Sequence, residues 1–154
     1  MSTSEVQGTW FRHYVLALLK EQDLPAEADS QGDIAIYGQT STGWLRVEGE
    51  PMRLHVFAVA AHGVPMTKAT LSEVNEINAD DELVKVVIFE GAVIVRLQVP
   101  AEAVTWDALH AAMSKVLDVA DHVGPLLTTV HGGAPRCGWD RGQRPAPTTT
   151  GWAA

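Results

Sequence analysis

The chain has 154 residues, 46% of them hydrophobic, with one cysteine and a formal net charge of −8 at pH 7. A chain of this length suits one ordinary domain, which buries roughly 68–70% of the surface its unfolded form exposes and so needs no metal or disulfide to hold a core. The single cysteine excludes an internal disulfide and fits a reducing compartment, and an acidic body repels phosphate backbones, so nucleic-acid binding is not expected.

The first element reads as a helix over 4–22. Val6, Trp10, Tyr14 and Leu18 recur every four residues, with Phe11, Val15 and Leu19 beside them, a broad apolar stripe expected to be mostly core. Pro25 ends it, because the residue before a proline avoids the helical region. Three strand signals follow, at 32–38, 43–48 and 52–61, the first two joined by the polar hairpin loop Gln39-Thr40-Ser41-Thr42. In the third, Met52, Leu54, Val56 and Ala58 point one way and are expected to face helices, while Arg53, His55, Phe57 and Val59 point the other.

Thr67 is placed to cap a short helix over 67–79, whose last turn holds Asn75 and Asn78. The strands at 82–90 and 92–99 turn tightly at Glu90-Gly91, and their Val and Ile content predicts central rather than edge positions. Thr105 is placed to cap a long final helix reaching Val130, with the seam Leu109, Met113, Val116, Ala120, Val123 and Leu127. Gly124-Pro125 inside it predicts a kink or break. His131, beside Gly132-Gly133, is placed to serve as a helix C-cap. The ordered domain is expected to span 1–132, followed by a flexible Pro/Gly/Thr-rich tail over 133–154.

The order helix, three strands, helix, two strands, helix predicts an α+β fold: an antiparallel sheet of about five strands with helices on one face. Three stretches also carry a family resemblance. They are the helix Leu-Ser-Glu-Val-Asn-Glu-Ile-Asn with its Asn-x-x-Asn pair, the Val-rich hairpin after it, and Ala-Asp-His-Val-Gly-Pro-Leu-Leu at 120–127 closing on Gly132-Gly133. Over roughly residues 5–132 the chain resembles the YbjN family, whose domain is similar to the class I type III secretion chaperones. The resemblance implies an α+β domain, frequent homodimers and a peptide- or protein-binding role.

Signals for catalysis are absent from the sequence. It has no Gly-rich phosphate loop, no Gly-x-Ser-x-Gly and no paired cysteines, and no two of its six histidines have the spacing of a helical metal site. Asp80-Asp81-Glu82 reads as a solvated turn, and Cys137 as an exposed thiol with no base near it in sequence. No catalytic residue, metal or cofactor is therefore expected.

What remains is surface for company. A sheet covered on one side leaves a face carrying Trp44, Arg46, His55, Phe57 and Val59, and a face this apolar needs covering. Asn75 and Asn78 either tie the helix end to the next strand or meet the backbone of a bound chain. The expected function is a non-catalytic, chaperone-like or regulatory domain that binds a protein or peptide client, as a homodimer. A small-ligand sensor or regulator is the alternative.

The tail is basic, net +2 against −10 for residues 1–132, and holds Trp139 and Trp152, so folding back across the binding surface is the alternative to flexibility. Met1–Val6 carries Glu5 without Lys or Arg and is not expected to be a signal peptide. No apolar run has the roughly 20 residues of a membrane span, so a cytoplasmic location away from membranes is expected.

Overall fold

A computed structural model describes residues 2–135. The expectations placed on Cys137, Trp139, Trp152 and the rest of 136–154 lie outside the described residues. Helix α1 spans Thr3–Glu21 and starts in a capping box: the Ser2 hydroxyl accepts from the Glu5 N–H at 3.2 Å, and the Glu5 carboxylate accepts from the Ser2 N–H at 2.7 Å. It buries Phe11, Val15 and Leu19. The stripe expected as core is therefore displaced by one residue, since Val6 is 52% and Trp10 67% exposed. Two apolar lines run side by side on this helix, and the line facing the sheet takes the core.

Strands β1 (Ile34–Tyr37), β2 (Thr42–Glu48), β3 (Arg53–His62), β4 (Lys85–Phe89) and β5 (Ala92–Pro100) form an antiparallel sheet in the order β1-β2-β3-β5-β4. A sixth, β6 (Ala134–Pro135), pairs with the end of β3 beyond the reach of β2. Two further helices, α2 (Lys68–Asp80) and α3 (Trp106–His131), complete the fold. The expected α+β architecture is present, with one strand more than anticipated.

One strand position differs from expectation. β5 is central, but β4 lies at the edge of the sheet. Its Val-rich run reflects how its edge is managed: the Asn78 amide donates to the Val86 carbonyl at 2.9 Å and accepts from the Val86 N–H at 2.7 Å. These bonds occupy backbone groups that an edge strand would otherwise offer to another chain.

The alternation in β3 is as read. Leu54, Val56 and Ala58 join the main core with α1 and α3, while Phe57 and Val59 belong to a separate cluster. A bulge between Val59 and Ala61 then turns Ala60 and Ala61 both into the main core. The caps on Thr67 and Thr105 are present, each hydroxyl accepting an N–H three residues on at 3.2 Å. His131 is not the C-cap of α3. Its ring pairs with Glu73 on α2, and the Gly132 N–H closes the helix on Thr128 O at 3.0 Å. The acidic turn is partly engaged too: Asp81 accepts from the N–H groups of Leu83 and Val84 and pairs with Lys115 at 2.7 Å.

The predicted break at Gly124-Pro125 does not occur, and α3 runs unbroken for 26 residues. Breaking it would withdraw Val123 and Leu127, both buried, from the core. Each is worth roughly 1.5–3 kcal/mol, which together offset the roughly 3 kcal/mol that an interior proline costs. Gly124 also lets the helix sit close on β3, since a Cβ there would lie 2.3 Å from the Ala60 carbonyl oxygen.

Asp121, on the same helix, anchors the β1–β2 loop. Its carboxylate accepts from the N–H groups of Gln39 and Thr40, each at 2.9 Å, and from the Thr40 hydroxyl at 3.0 Å. Burial on its own would raise the carboxyl's pKa, but the loop's hydrogen bonds outweigh it and hold the pKa below the ordinary value.

Two outcomes follow from α3. Gly124→Ala would gain about 1 kcal/mol in an open helix, yet here it is expected to destabilise by about 1–3 kcal/mol in urea unfolding, because the sheet must shift to admit the methyl. A depressed carboxyl pKa contributes stability that is complete above the unfolded value and lost as pH falls through the folded one. The chain is thus expected to lose stability below about pH 4, and Asp121→Asn to flatten that part of the profile, as thermal melts across acid pH would record.

Candidate functional site

Two surfaces stand out, one on each side of the sheet. The first is the face turned away from the helices. The strand register lines up Ala35, Trp44, Phe57 and Arg96 in one row across it, with Thr42, Val59, Ile94 and Val87 in the next. Trp44 stacks on Phe57 with ring centroids 5.8 Å apart. The Arg46 guanidinium lies 5.2 Å from the Phe57 centroid, close enough for a cation–π contact.

Arg46 is held there by a forked pair with buried Asp33, Nε to Oδ1 at 2.9 Å and Nη2 to Oδ2 at 2.5 Å. This hydrogen bonding raises the Arg46 pKa above its usual value, against the opposing effect of burial. His55 sits between Glu48, 3.7 Å from its Nε2, and Gln98, 3.2 Å from its Nδ1. Burial pushes the His55 pKa down, although Glu48 pulls the other way. A polar rim thus frames an apolar centre.

Of the residues expected on this face, Arg46, His55 and Phe57 border a cleft of about 270 Å³, closed on its far side by Val87, Phe89 and Arg96. Phe89 is 62% exposed, whereas Trp44 and Val59 are buried at 4% and 3%. Asn75 and Asn78 do not join the site. Asn78 is spent on the β4 edge, which is the structural alternative read from the sequence, and Asn75 is exposed on α2.

The second surface is built on α1. Along α1 runs a groove of about 560 Å³, bordered by Gln7, Trp10, Tyr14, Met52, Glu102 and Val104. Trp10 and Tyr14 stack nearly parallel, 5.8 Å apart and 2° between planes, and the Tyr14 hydroxyl donates to the Val104 carbonyl at 3.0 Å. The result is a rigid aromatic shelf. A signal for it was present, because Val6, Trp10 and Tyr14 form an apolar line beside the buried line of Phe11, Val15 and Leu19, more than a single sheet contact can bury. A third cleft, of about 330 Å³, lies between the end of α1, β1 and α3, bordered by Leu24, Tyr37, His110, Met113, Ser114 and Leu117.

Among the described residues, no cluster of three or more His, Cys, Asp or Glu is placed to hold a metal ion. No described helix is long and apolar enough to cross a membrane. The geometry offers aromatic shelves and apolar clefts with polar rims, surfaces suited to contact.

Comparison with known proteins agrees. Residues 9–137 match the family described as T3SS (YopN, CesT) and YbjN peptide-binding chaperone 1. The chain belongs to this family. Solved structures with the same fold include three complexes. The ExsC–ExsE complex aligns with a TM-score of 0.61 at 17% identity, covering 82% of this chain and 97% of the other. The HopA1–SchA chaperone–effector complex gives 0.61 at 13% identity, over 74% and 93% of the two chains. The Yersinia pestis type III secretion chaperone SycH, in complex with a fragment of YscM2, gives 0.57 at 15%, over 71% and 96%. No curated protein matches the sequence. The YbjN and secretion-chaperone resemblance read from the sequence is thereby established.

The Asp33–Arg46 pair generates a prediction. Asp33→Asn keeps the shape but removes the charge, and hydrogen bonds to charged groups are worth about 1.5–3 kcal/mol. A loss of that size in urea unfolding is expected, and unchanged stability would mean the pair contributes nothing.

Proposed function

We propose that this peptide-binding chaperone family member works without catalysis, as a homodimer in the cytoplasm that holds extended or helical segments of a protein client. The observation that carries this reading is the groove beside α1. A 67% exposed tryptophan stacked on a tyrosine, over an apolar floor, is costly in water unless something docks there. A client segment could add its own apolar side chains to this shelf, with Gln7 and Glu102 on the rim as polar contacts. The cleft bordered by Arg46, His55 and Phe57 offers a second contact, whose guanidinium and imidazole suit client carbonyls and carboxylates.

Support also comes from the company the fold keeps, since each of the three similar structures is a complex with a second protein. A second copy is the cover we assign to the remaining exposed apolar side chains, among them Met66, Leu71, Leu83 and Val130. A single cysteine fits a reducing cytoplasm.

A second reading, a small-ligand sensor, is favoured by the cleft between α1, β1 and α3. Its size is at the low end for ligand pockets, and Tyr37, His110 and Ser114 offer polar groups in it. A thermal-shift screen against metabolites separates the two, because a stabilising metabolite without peptide binding would favour the sensor.

Peptides selected from a random library are expected to bind the chain, and Trp10→Ser to weaken them about tenfold or more, the usual cost of an anchoring aromatic. Stability should stay within about 0.5 kcal/mol, because the side chain is mostly exposed. Binding unchanged by Trp10→Ser would remove the groove from the account, and light scattering that finds only monomers would remove the dimer.

A further inference from the structure

The cleft on the helix-free face is cationic in an acidic protein. The chain carries −8, yet the ionisable side chains of the described strands around this cleft are Arg46, Arg53, His55, Arg96 and Lys85, with Glu48 as their acid. Arg46 is neutralised by Asp33, and Glu48 lies beside His55. Arg96 and Lys85 are left over. They stand directly opposite each other in the β4–β5 register, both exposed, and neither forms an ion pair among the described residues. Like charges facing each other across two strands destabilise a sheet. A lysine on an edge strand deters edge pairing, but Arg96 sits on central β5, where that purpose does not apply.

We propose that this cleft docks an acidic client segment, with a carboxylate between Arg96 and Lys85 and an apolar side chain against Val87 and Phe89. This rests on the reading of the protein as a client-holding domain and states what the client carries.

Spacing and charge both favour that occupant. Lys85, Val87 and Phe89 alternate onto one face of β4, each about 7 Å from the next. Phe89 is 62% exposed at the margin of the cleft. An extended segment with an acid two positions from an apolar residue has the same period, so both groups meet their partners at once. At about 270 Å³ the cleft is smaller than the roughly 300–1,000 Å³ of small-ligand pockets, and it takes one side chain of a longer segment. A long polyanion is repelled by the acidic body. A short segment with one or two carboxylates meets only the local field, which salt screens beyond about 8–10 Å.

His55 supplies a second readout. Burial lowers its pKa, and Arg46, Arg53 and Arg96 lower it further against the pull of Glu48. A carboxylate bound beside Arg96 acts in the same direction as Glu48 and raises it.

The test uses the full chain and two labelled ten-residue peptides. One carries Asp and Glu two positions before a Phe, and the other has Asn and Gln in their place. The acidic peptide is expected to bind about tenfold or more tightly, as charge-assisted hydrogen bonds allow, with a margin that shrinks as salt rises to about 0.5 M. It is also expected to raise the His55 pKa, which the amide peptide leaves alone. Arg96→Gln with Lys85→Gln should erase the margin without lowering the melting temperature, because both side chains are exposed. Equal binding of the two peptides, or a margin that survives in the double variant, would overturn the proposal. So would inorganic polyphosphate that outcompetes the acidic peptide, because the ligand would then be a phosphate. Dimers in light scattering that dissociate in the double variant would overturn it too, because a second copy would then be the occupant. Peptides bound at the α1 groove, lost in Trp10→Ser, read out client holding separately. If they bind while the acidic peptide does not, the acidic docking fails and the client-holding reading stands.

Discussion

Strand β3 is apolar on both faces, while helices cover only one of them. Leu54, Val56 and Ala58 are fully buried under α1 and α3, and Phe57 and Val59 face the other way. A sheet with one solvated face would carry polar residues at those positions. Here Phe57 and Val59 take those positions in β3, and polar residues stand only towards the strand's ends, at Arg53, His55 and His62. Much of the architecture follows from this surplus. The fold must supply a second cover, from its own chain or from another, and a surface that needs cover is a surface that can hold a partner.

Polar pairs keep that surface in shape. The Asp33–Arg46 fork flattens a guanidinium over Phe57 instead of leaving it free in water. Asp121 ties the β1–β2 loop to α3, so that the row through Trp44 is presented by strands that cannot splay. Asn78 occupies the Val86 backbone groups on the outer edge of β4, which makes that edge a poorer template for edge-to-edge pairing. Each group is buried or half-buried with its partners satisfied, which is the condition under which polar groups add specificity rather than cost.

Element order, the caps on Thr67 and Thr105 and the seam of α3 were legible in the sequence, because each rests on local periodicity or a single side-chain bond. The two-sided character of β3 was legible for the same reason. The misreadings share one cause, which is that tertiary contact chose between locally equivalent options. Trp10 and Phe11 sit on adjacent apolar lines, and only the packing of α1 on the sheet decides which line is buried. A Val-rich β4 can be central, or at an edge closed by a side chain eight residues earlier. Gly124-Pro125 breaks an isolated helix, but not one whose flanking residues fill the core. The shape of the α1 groove was not legible because it needs Met52 and the turn at Ala101–Ala103, which adjoin α1 only in space. The family was recognisable from the sequence; the binding geometry was not.

The central claim is that apolar surface on both sides of this sheet exists to hold polypeptide. It is tested most directly by titrating the isotope-labelled full chain with library-selected peptides and following the tryptophan indole signals. The account predicts that Trp10 moves at low peptide concentration, that Trp44 moves once the helix-free face is entered, and that Trp106, half-buried and stacked on His110, stays still. Peptides that leave Trp10 and Trp44 unmoved, or a library that yields no binder, would contradict it.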